Sequence, residues 1–263
     1  MIESLHSPHI ARVKALIGSK GVKERKATGE FVAEGIQCVR EAISTKTGPQ
    51  LVSLYATSAG LLKLVDFDLH DVDVVEVSDP VMEAMATTVT PQGILAICKV
   101  PHRSISELKS TGSLRIIYLN EIQDPGNAGT ILRSADAMGI DAVVTSPGSV
   151  DMFSPKVVRS TAGSLWHIDL FEGIPFLELS QQIPGGRAML LSSHAHQSIL
   201  DVEIDSNCIA IFGNEARGVA ANSLESEIAI EEITIPMAGR AESLNLSAAA
   251  SIVMFTLTSG LTR

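Results

Sequence analysis

The stretch Glu231–Phe255, EEITIPMAGRAESLNLSAAASIVMF, holds the elements around which the rest of the chain is arranged. Ile233 to Ile235 read as a short strand that Pro236 stops, because proline cannot donate to a sheet ladder. A polar loop with Gly239, Arg240 and Glu242 follows, then a helix that Ser243 or Asn245 is able to cap. The helix carries Ala248, Ala249, Ala250 and Ser251, small residues that let another backbone approach closely. A strand end, a polar loop and a helix start together expose backbone donors that can hold a polar ligand. The same residues also describe a well-capped C-terminal helix with no ligand at all.

Outward from there, apolar runs and turn residues alternate through the second half. LRIIYLNEI (114–122), AVVTS (142–146), AMLLSS (188–193), IAIFG (209–213) and EITIP (232–236) predict strands. TILRSADAMG predicts a helix closed by Gly139, with further helices over 154–162, 174–182 and 243–258. This is an α/β pattern, a mostly parallel sheet with helices on both faces. In the first half, Ile10, Val13, Leu16 and Ile17 have helical spacing, and Gly18 and Gly21 break the pattern. A strand at Phe31–Ala33 leads into a helix through Ala42, and 51–57, 72–78 and GILAICKV read as strands. That is a second, smaller α/β unit. The polar segment 101–113, with a short helix at Ser106–Lys109, marks the boundary, giving domains 1–105 and 106–263.

Composition bounds the class. Hydrophobic residues are 45% and charged residues 19%, as in a soluble globular protein. No apolar run is long enough to span a bilayer, and MIESLHSPHI lacks a signal-peptide pattern. Cys38, Cys98 and Cys208 form neither a disulfide framework nor a CxxC pair, so the expected compartment is a reducing cytoplasm. The net charge of −10 argues against a general nucleic-acid binder. Its distribution is uneven, however. Residues 1–30 hold six basic residues against three acidic ones, whereas Asp66–Glu83 holds seven acids and no Lys or Arg. The basic segment is either a guide for a polyanion or a solvated helix surface.

Three loops follow strand ends, where open α/β sheets bind ligands. NEIQDPGNAGTILR places Asn120, Asn127 and Arg133 around a glycine-containing turn and a helix start, and FGNEARG places Gly213, Asn214 and Glu215 after an apolar strand. The third is the opening stretch, with Ser243 and Asn245. Each alone is ordinary turn and capping chemistry. A phosphate loop, a GxGxxG fingerprint and a GxSxG elbow are absent. His194 and His196 have no third ligand at metal-site spacing, so no metal is expected, and Cys208 reads as core.

Taken together, NEIQDPGNAGTILRSADAMG, FGNEARGV and IPMAGRAESLNLSAAASIVMF resemble, in order and spacing, the three motifs of the SpoU (TrmH-like) RNA ribose 2′-O-methyltransferases. SVDMFSPKVVRSTAGSLW is similar to the segment between those motifs. The first half is similar to the small α/β RNA-substrate-binding domain that precedes the catalytic domain in ribosomal-RNA members. The resemblance implies a deep trefoil knot in the C-terminal domain and a homodimer with an active site built across the interface. It implies S-adenosylmethionine held mainly by backbone groups, here at Gly213, Ile235 and Leu244, with Ser192 in a segment less like the family's. Arg133 would act on the ribose 2′-hydroxyl, and Asn127, Glu215, Ser243 and Asn245 would shape that site.

The sulfonium is already an activated methyl donor, so alignment of the hydroxyl and removal of one proton remain for the protein. A guanidinium with a pKa above about 12 is no general base. Arg133 is therefore expected to orient the hydroxyl and a nearby phosphate. Aromatic residues are only 4%, so RNA recognition is expected through shape and phosphate contacts, with Lys23, Arg25, Lys26, Lys156 and Arg159 as the cations. The leading expectation is ribose methylation of large-subunit ribosomal RNA. The alternatives are a non-catalytic RNA-binding or ribosome-assembly protein of the same fold, and a transfer-RNA 2′-O-methyltransferase. The presence of Asn127, Arg133, Glu215, Ser243 and Asn245 together argues against the non-catalytic one.

Overall fold

The alternating runs resolve into two separate sheets. The computed structural model describes residues 1–108, 113–202, 207–219 and 224–259. Contacts divide the chain into one unit of Met1–His102 with Asp151–His167, and another of Arg103–Val150 with Ile168–Arg263.

The first unit opens with α1 (Pro8–Ile17), capped by the Ser7 side chain, with Pro8 in the first turn and Ile10, Val13 and Leu16 buried. Next come α2 (Gly21–Thr28), β1 (Glu30–Glu34), α3 (Ile36–Ser44), β2 (Leu51–Ala56), α4 (Ser58–Leu61), β3 (Val74–Glu76), α5 (Asp79–Met85) and β4 (Ile94–Lys99). The sheet order is β1-β4-β2-β3, antiparallel except between β2 and β3. The expected strands are present, but Gly21 begins a helix rather than ending one. Apolar periodicity could not find α2, because its inward-facing residues are Gly21 and Arg25.

The second unit contains β5 (Arg115–Leu119), α6 (Pro125–Ala137) and β6 (Ala142–Thr145). The chain then passes through α7 (Pro155–Ser160), which groups with the first unit, before β7 (Asp169–Phe171), α8 (Phe176–Gln181), β8 (Arg187–Leu191), β9 (Gln197–Ser198), β10 (Cys208–Phe212), β11 (Ile230–Thr234) and α9 (Leu246–Thr258). The sheet order is β7-β6-β5-β10-β8-β11-β9, and every pairing is parallel. β5, β6 and β10 are buried along their whole length, as strands covered on both faces must be. Burial also pushes the Cys208 thiol up to about 11, as expected of a core cysteine.

Several boundaries differ from expectation. α6 starts five residues before Thr130, because Asp124 caps it and Pro125 fits its first turn. α9 starts at Leu246 with Asn245, not Ser243, as its cap. The short helix expected at Ser106–Lys109 is a 3-10 turn at Ile105–Glu107, and Lys109 lies outside the described residues.

Candidate functional site

Strands β10, β8 and β11 are neighbours and run parallel, so their C-terminal ends open on the same edge of the sheet. The loops leaving these ends, with the segment entering α9, enclose a cavity of about 630 Å³. Ser192 and His194 line it after β8, Gly213, Glu215 and Arg217 after β10, and Ile235 and Met237 after β11. Ser243, Leu244 and Asn245 close it from the side of α9, and Asn127 reaches it from α6. Leu191, Phe212, Leu246 and Ala249 supply apolar wall. A cavity of this size, apolar and edged by polar groups, suits a small organic ligand.

The loop after β10 is built around two residues. A Cβ on Gly213 would lie 2.6 Å from the Gly218 carbonyl carbon, so only glycine permits this close approach. Asn214 is buried, and its side-chain amide donates to the Glu121 carbonyl at 2.9 Å. Its side-chain oxygen accepts from the N–H groups of Ala216 (3.0 Å) and Arg217 (3.2 Å). The Gly218 N–H returns to the Asn214 carbonyl at 2.8 Å, closing the turn. Glu121, the acceptor of that anchor, has φ +52°, which is uncommon for a residue with a side chain.

This turn presents Glu215 to the start of α6. Its carboxylate accepts from the N–H groups of Gln123 (3.2 Å) and Asp124 (3.1 Å) and from the Asn127 amide (3.4 Å). A negative charge at a helix N-terminus is favourable. Asn127 in turn accepts from the Asn245 side-chain amide at 3.0 Å. The Asn245 oxygen caps α9, receiving the N–H of Ser247 at 2.9 Å and of Ala248 at 3.3 Å. Glu215, Asn127 and Asn245 thus form one hydrogen-bonded chain joining the three sequence-distant loops. The small residues of α9 allow it to pack on α6, where Ser134 and Ser251 share a hydrogen bond of 2.9 Å.

Of the residues singled out in the sequence, the cavity gathers Asn127, Glu215, Ser243 and Asn245, and likewise Ser192, Gly213, Ile235 and Leu244. Arg133 is not among its lining residues. It is exposed on α6, six positions beyond Asn127, with no hydrogen bond or ion pair among the described residues. Asp124 and Arg217 lack a sequence signal beyond their place in polar loops, and Asn214 is named only with its loop, since their roles depend on partners about ninety residues or one turn away.

The five cations all lie in the first unit. Lys23, Lys26 and Lys156 are exposed. Arg159 is half-committed, donating to Thr87 at 2.7 Å and lying 3.6 Å from Glu34. Arg25 corrects the sequence reading. It is 5% exposed, paired with Asp151 at 2.7 Å and bonded to the Leu16 carbonyl, so it holds the unit together and presents no charge to RNA.

A parallel α/β sheet whose strand-end loops converge on one polar-rimmed cavity defines a ligand-binding α/β protein. The sequence matches the SpoU rRNA Methylase family over residues 114–255, and the MRM3-like substrate binding domain over residues 8–96. The chain is 30% identical over 236 residues to the 23S rRNA (guanosine(2553)-2′-O)-methyltransferase RlmP of Bacillus subtilis, covering 89% of this chain and 91% of that one. It is 25% identical over 253 residues to the 23S rRNA (uridine(2479)-2′-O)-methyltransferase of Streptomyces viridochromogenes, covering 92% and 86%. An AdoMet-bound rRNA methyltransferase from Sinorhizobium meliloti superposes with a TM-score of 0.82 at 26% identity, over 100% of this chain and 98% of that one. The protein belongs to the SpoU rRNA methylase family.

Proposed function

We propose that this protein methylates a ribose 2′-hydroxyl of large-subunit ribosomal RNA, using S-adenosylmethionine as the donor. The observation that carries the reading is the convergence of Asn127, Glu215 and Asn245 on a cavity lined by the loops after β8, β10 and β11. The names of the two ribosomal-RNA relatives and the AdoMet-bound neighbour support it.

The cavity fits that donor. It has apolar wall for an adenine at Leu191, Phe212 and Leu246, and polar atoms at Ser192, Thr234 and Ser243 for the rest. When bound, S-adenosylmethionine supplies a methyl group already activated on a sulfonium. Asn127 donates to Glu215 on one side and accepts from Asn245 on the other, so its amide is oriented toward the cavity edge. The chain's own contribution is to orient the hydroxyl there and to keep the site's polar groups in place before RNA arrives.

Arg133 serves the site of a second copy in this reading, which makes the protein a homodimer. Its absence from the cavity of its own chain supports that, as does the neighbouring apolar exposure on α9, where Phe255 is 64% and Ile252 40% exposed. The reading extends to a trefoil knot in the C-terminal half, supported by β10 inserting between β5 and β8 and by α9 returning onto α6. Lys23, Lys26, Lys156 and Arg159 carry the RNA phosphates, and the reaction takes place in the cytoplasm, where the free cysteines Cys38, Cys98 and Cys208 stay reduced.

The test is transfer of labelled methyl to unmodified total RNA, followed by mapping of the product. Label in one large-subunit ribose is expected, lowered about a hundredfold in Asn127→Ala and in Arg133→Lys. Near-normal turnover of Arg133→Lys would reject a role for the planar guanidinium. Failure of the wild type to bind S-adenosylmethionine would reject the enzyme reading.

A further inference from the structure

A second cavity, of about 310 Å³, opens at the C-terminal ends of β5 and β6 within the same unit. It is at the small end of the range for ligand sites, and it lies at the same edge of the sheet as the first cavity. The two are joined by one ion pair. Arg217 lines the larger cavity, Glu121 lines the smaller, and their charged groups are 2.7 Å apart. Glu121 holds this place with positive φ, a backbone state that side chains avoid and that functional sites retain.

The polar groups of the small cavity divide into two classes. The Tyr118 hydroxyl is committed to the Ile174 carbonyl at 3.0 Å, and the Ser146 hydroxyl to the Glu121 N–H at 2.7 Å. Asn120 and Glu225 also line it, and neither side chain has a hydrogen-bond partner among the described residues. Around them, Pro147, Pro175 and Leu177 offer apolar faces. A carboxylate and an amide without partners among the described residues, beside apolar side chains, suit a planar group with adjacent donors and one acceptor.

Among the four RNA bases only guanine carries that set on one edge. Its N1–H and N2 amine are neighbouring donors that one carboxylate can accept together, and its O6 accepts from an amide. Uracil offers a carboxylate one donor between two acceptors. Adenine and cytosine each set an acceptor beside the amine, which a carboxylate repels. We infer that the small cavity receives a guanine base of the substrate RNA, at the methylated nucleotide or directly beside it, with Glu225 and Asn120 reading its Watson–Crick edge. The inference rests on the RNA methyltransferase reading above and adds the base that the enzyme selects.

The experiment uses the full-length protein and an RNA fragment spanning the mapped methylation site. Guanine at that nucleotide and at each neighbour is replaced in turn by inosine, which lacks only the N2 amine. For the wild type, one of these replacements is expected to lower kcat/KM about tenfold, the discrimination of a lost base contact. For Glu225→Gln the guanine substrate is expected to fall to a similar level, and the inosine replacement to change it less than about twofold. Asn120→Ala provides a second variant, with retained S-adenosylmethionine affinity as the check that both variants fold. A site with no guanine at these three positions overturns the inference, as does equal sensitivity to inosine in wild type and Glu225→Gln. Absence of methyl transfer by the wild type instead rejects the proposed function itself, so the two failures are distinguishable.

Discussion

Two glutamates each clamp a loop onto the end of a buried strand, and they do so in opposite ways. Glu34, at the end of β1, is 5% exposed. It accepts from the N–H groups of Thr87 (2.9 Å) and Thr88 (3.2 Å) and from both threonine hydroxyls. Glu215, just past β10, is exposed, and its three donors stand at 3.1 to 3.4 Å. A carboxylate taken out of water must have its acceptor sites filled, because an unpaired buried charge is prohibitively costly. Glu34 meets that demand and is therefore structural. Glu215 keeps water within reach and holds its partners loosely, which leaves them able to tighten or exchange when substrate binds. The same residue type thus gives a fixed clamp in one unit and an adjustable one in the other.

The difference is largest in stability. Glu34→Ala leaves four donors without their acceptor and is expected to destabilise the protein by about 3 kcal/mol, read from denaturant unfolding of the first unit. A loss below about 1 kcal/mol would mean that water replaces the carboxylate, and the contrast with Glu215 would disappear. Glu215→Ala is expected to behave in reverse. Methyl transfer falls about a hundredfold as Asn127 and the start of α6 lose their anchor, while stability changes by no more than about 1 kcal/mol. A stability loss matching that of Glu34→Ala would make Glu215 a second structural clamp.

How far the sequence discloses these features depends on whether partners are near in the chain. Runs such as RIIYL and CIAIF identify their strands because burial on both faces selects continuous apolar residues. The converging loops were legible only as a set, since Asn127, Glu215 and Asn245 are each plausible caps or turn residues alone. β7 has three residues, too few to show a period. The DPGN before Thr130 reads as the turn leading into the helix and is already the helix start, because Asp–Pro serves both. Glu34 gives no sign in EFVAEG that its carboxylate faces a loop fifty-three residues away. Arg25 misleads more strongly: in a run of exposed lysines it looks like one more surface cation, and only the fold shows Asp151 opposite it.

A smaller effect separates capping from catalysis within the site. Asn245 both caps α9 and holds Asn127. Asn245→Ala should cost about 1 kcal/mol of stability, as cap removal does, together with a loss of methyl transfer. Asn245→Asp keeps an oxygen for the Ser247 and Ala248 N–H groups but has no amide to donate to Asn127. Stability near wild type with transfer reduced is therefore expected. Equal transfer in Asn245→Asp and wild type would confine Asn245 to its cap.

The smallest expected effect is in pH dependence, and it isolates what makes Glu34 different. Burial works to raise the carboxyl pKa of Glu34, but the hydrogen bonds of Thr87 and Thr88 outweigh it and the pKa lies below the ordinary value. The folded state therefore binds this proton less readily than the unfolded chain, whose glutamates titrate near about 4.3. The sign follows: the stabilisation is complete above the unfolded value and is lost as pH falls through the lower, folded one. Glu30 is lowered too; burial raises it, and bonds from Lys99 and Arg12 overcome that, so the acid response of wild type alone does not single out Glu34. The comparison with Glu34→Gln does. The stability gap between the two is expected to be constant from neutral pH down to about 5 and to narrow below the unfolded glutamate value, as the protonated acid comes to resemble the amide. A gap that stays constant to pH 3 would show that the threonine bonds do not depend on the charge. The buried clamp would then differ from Glu215 only in its packing.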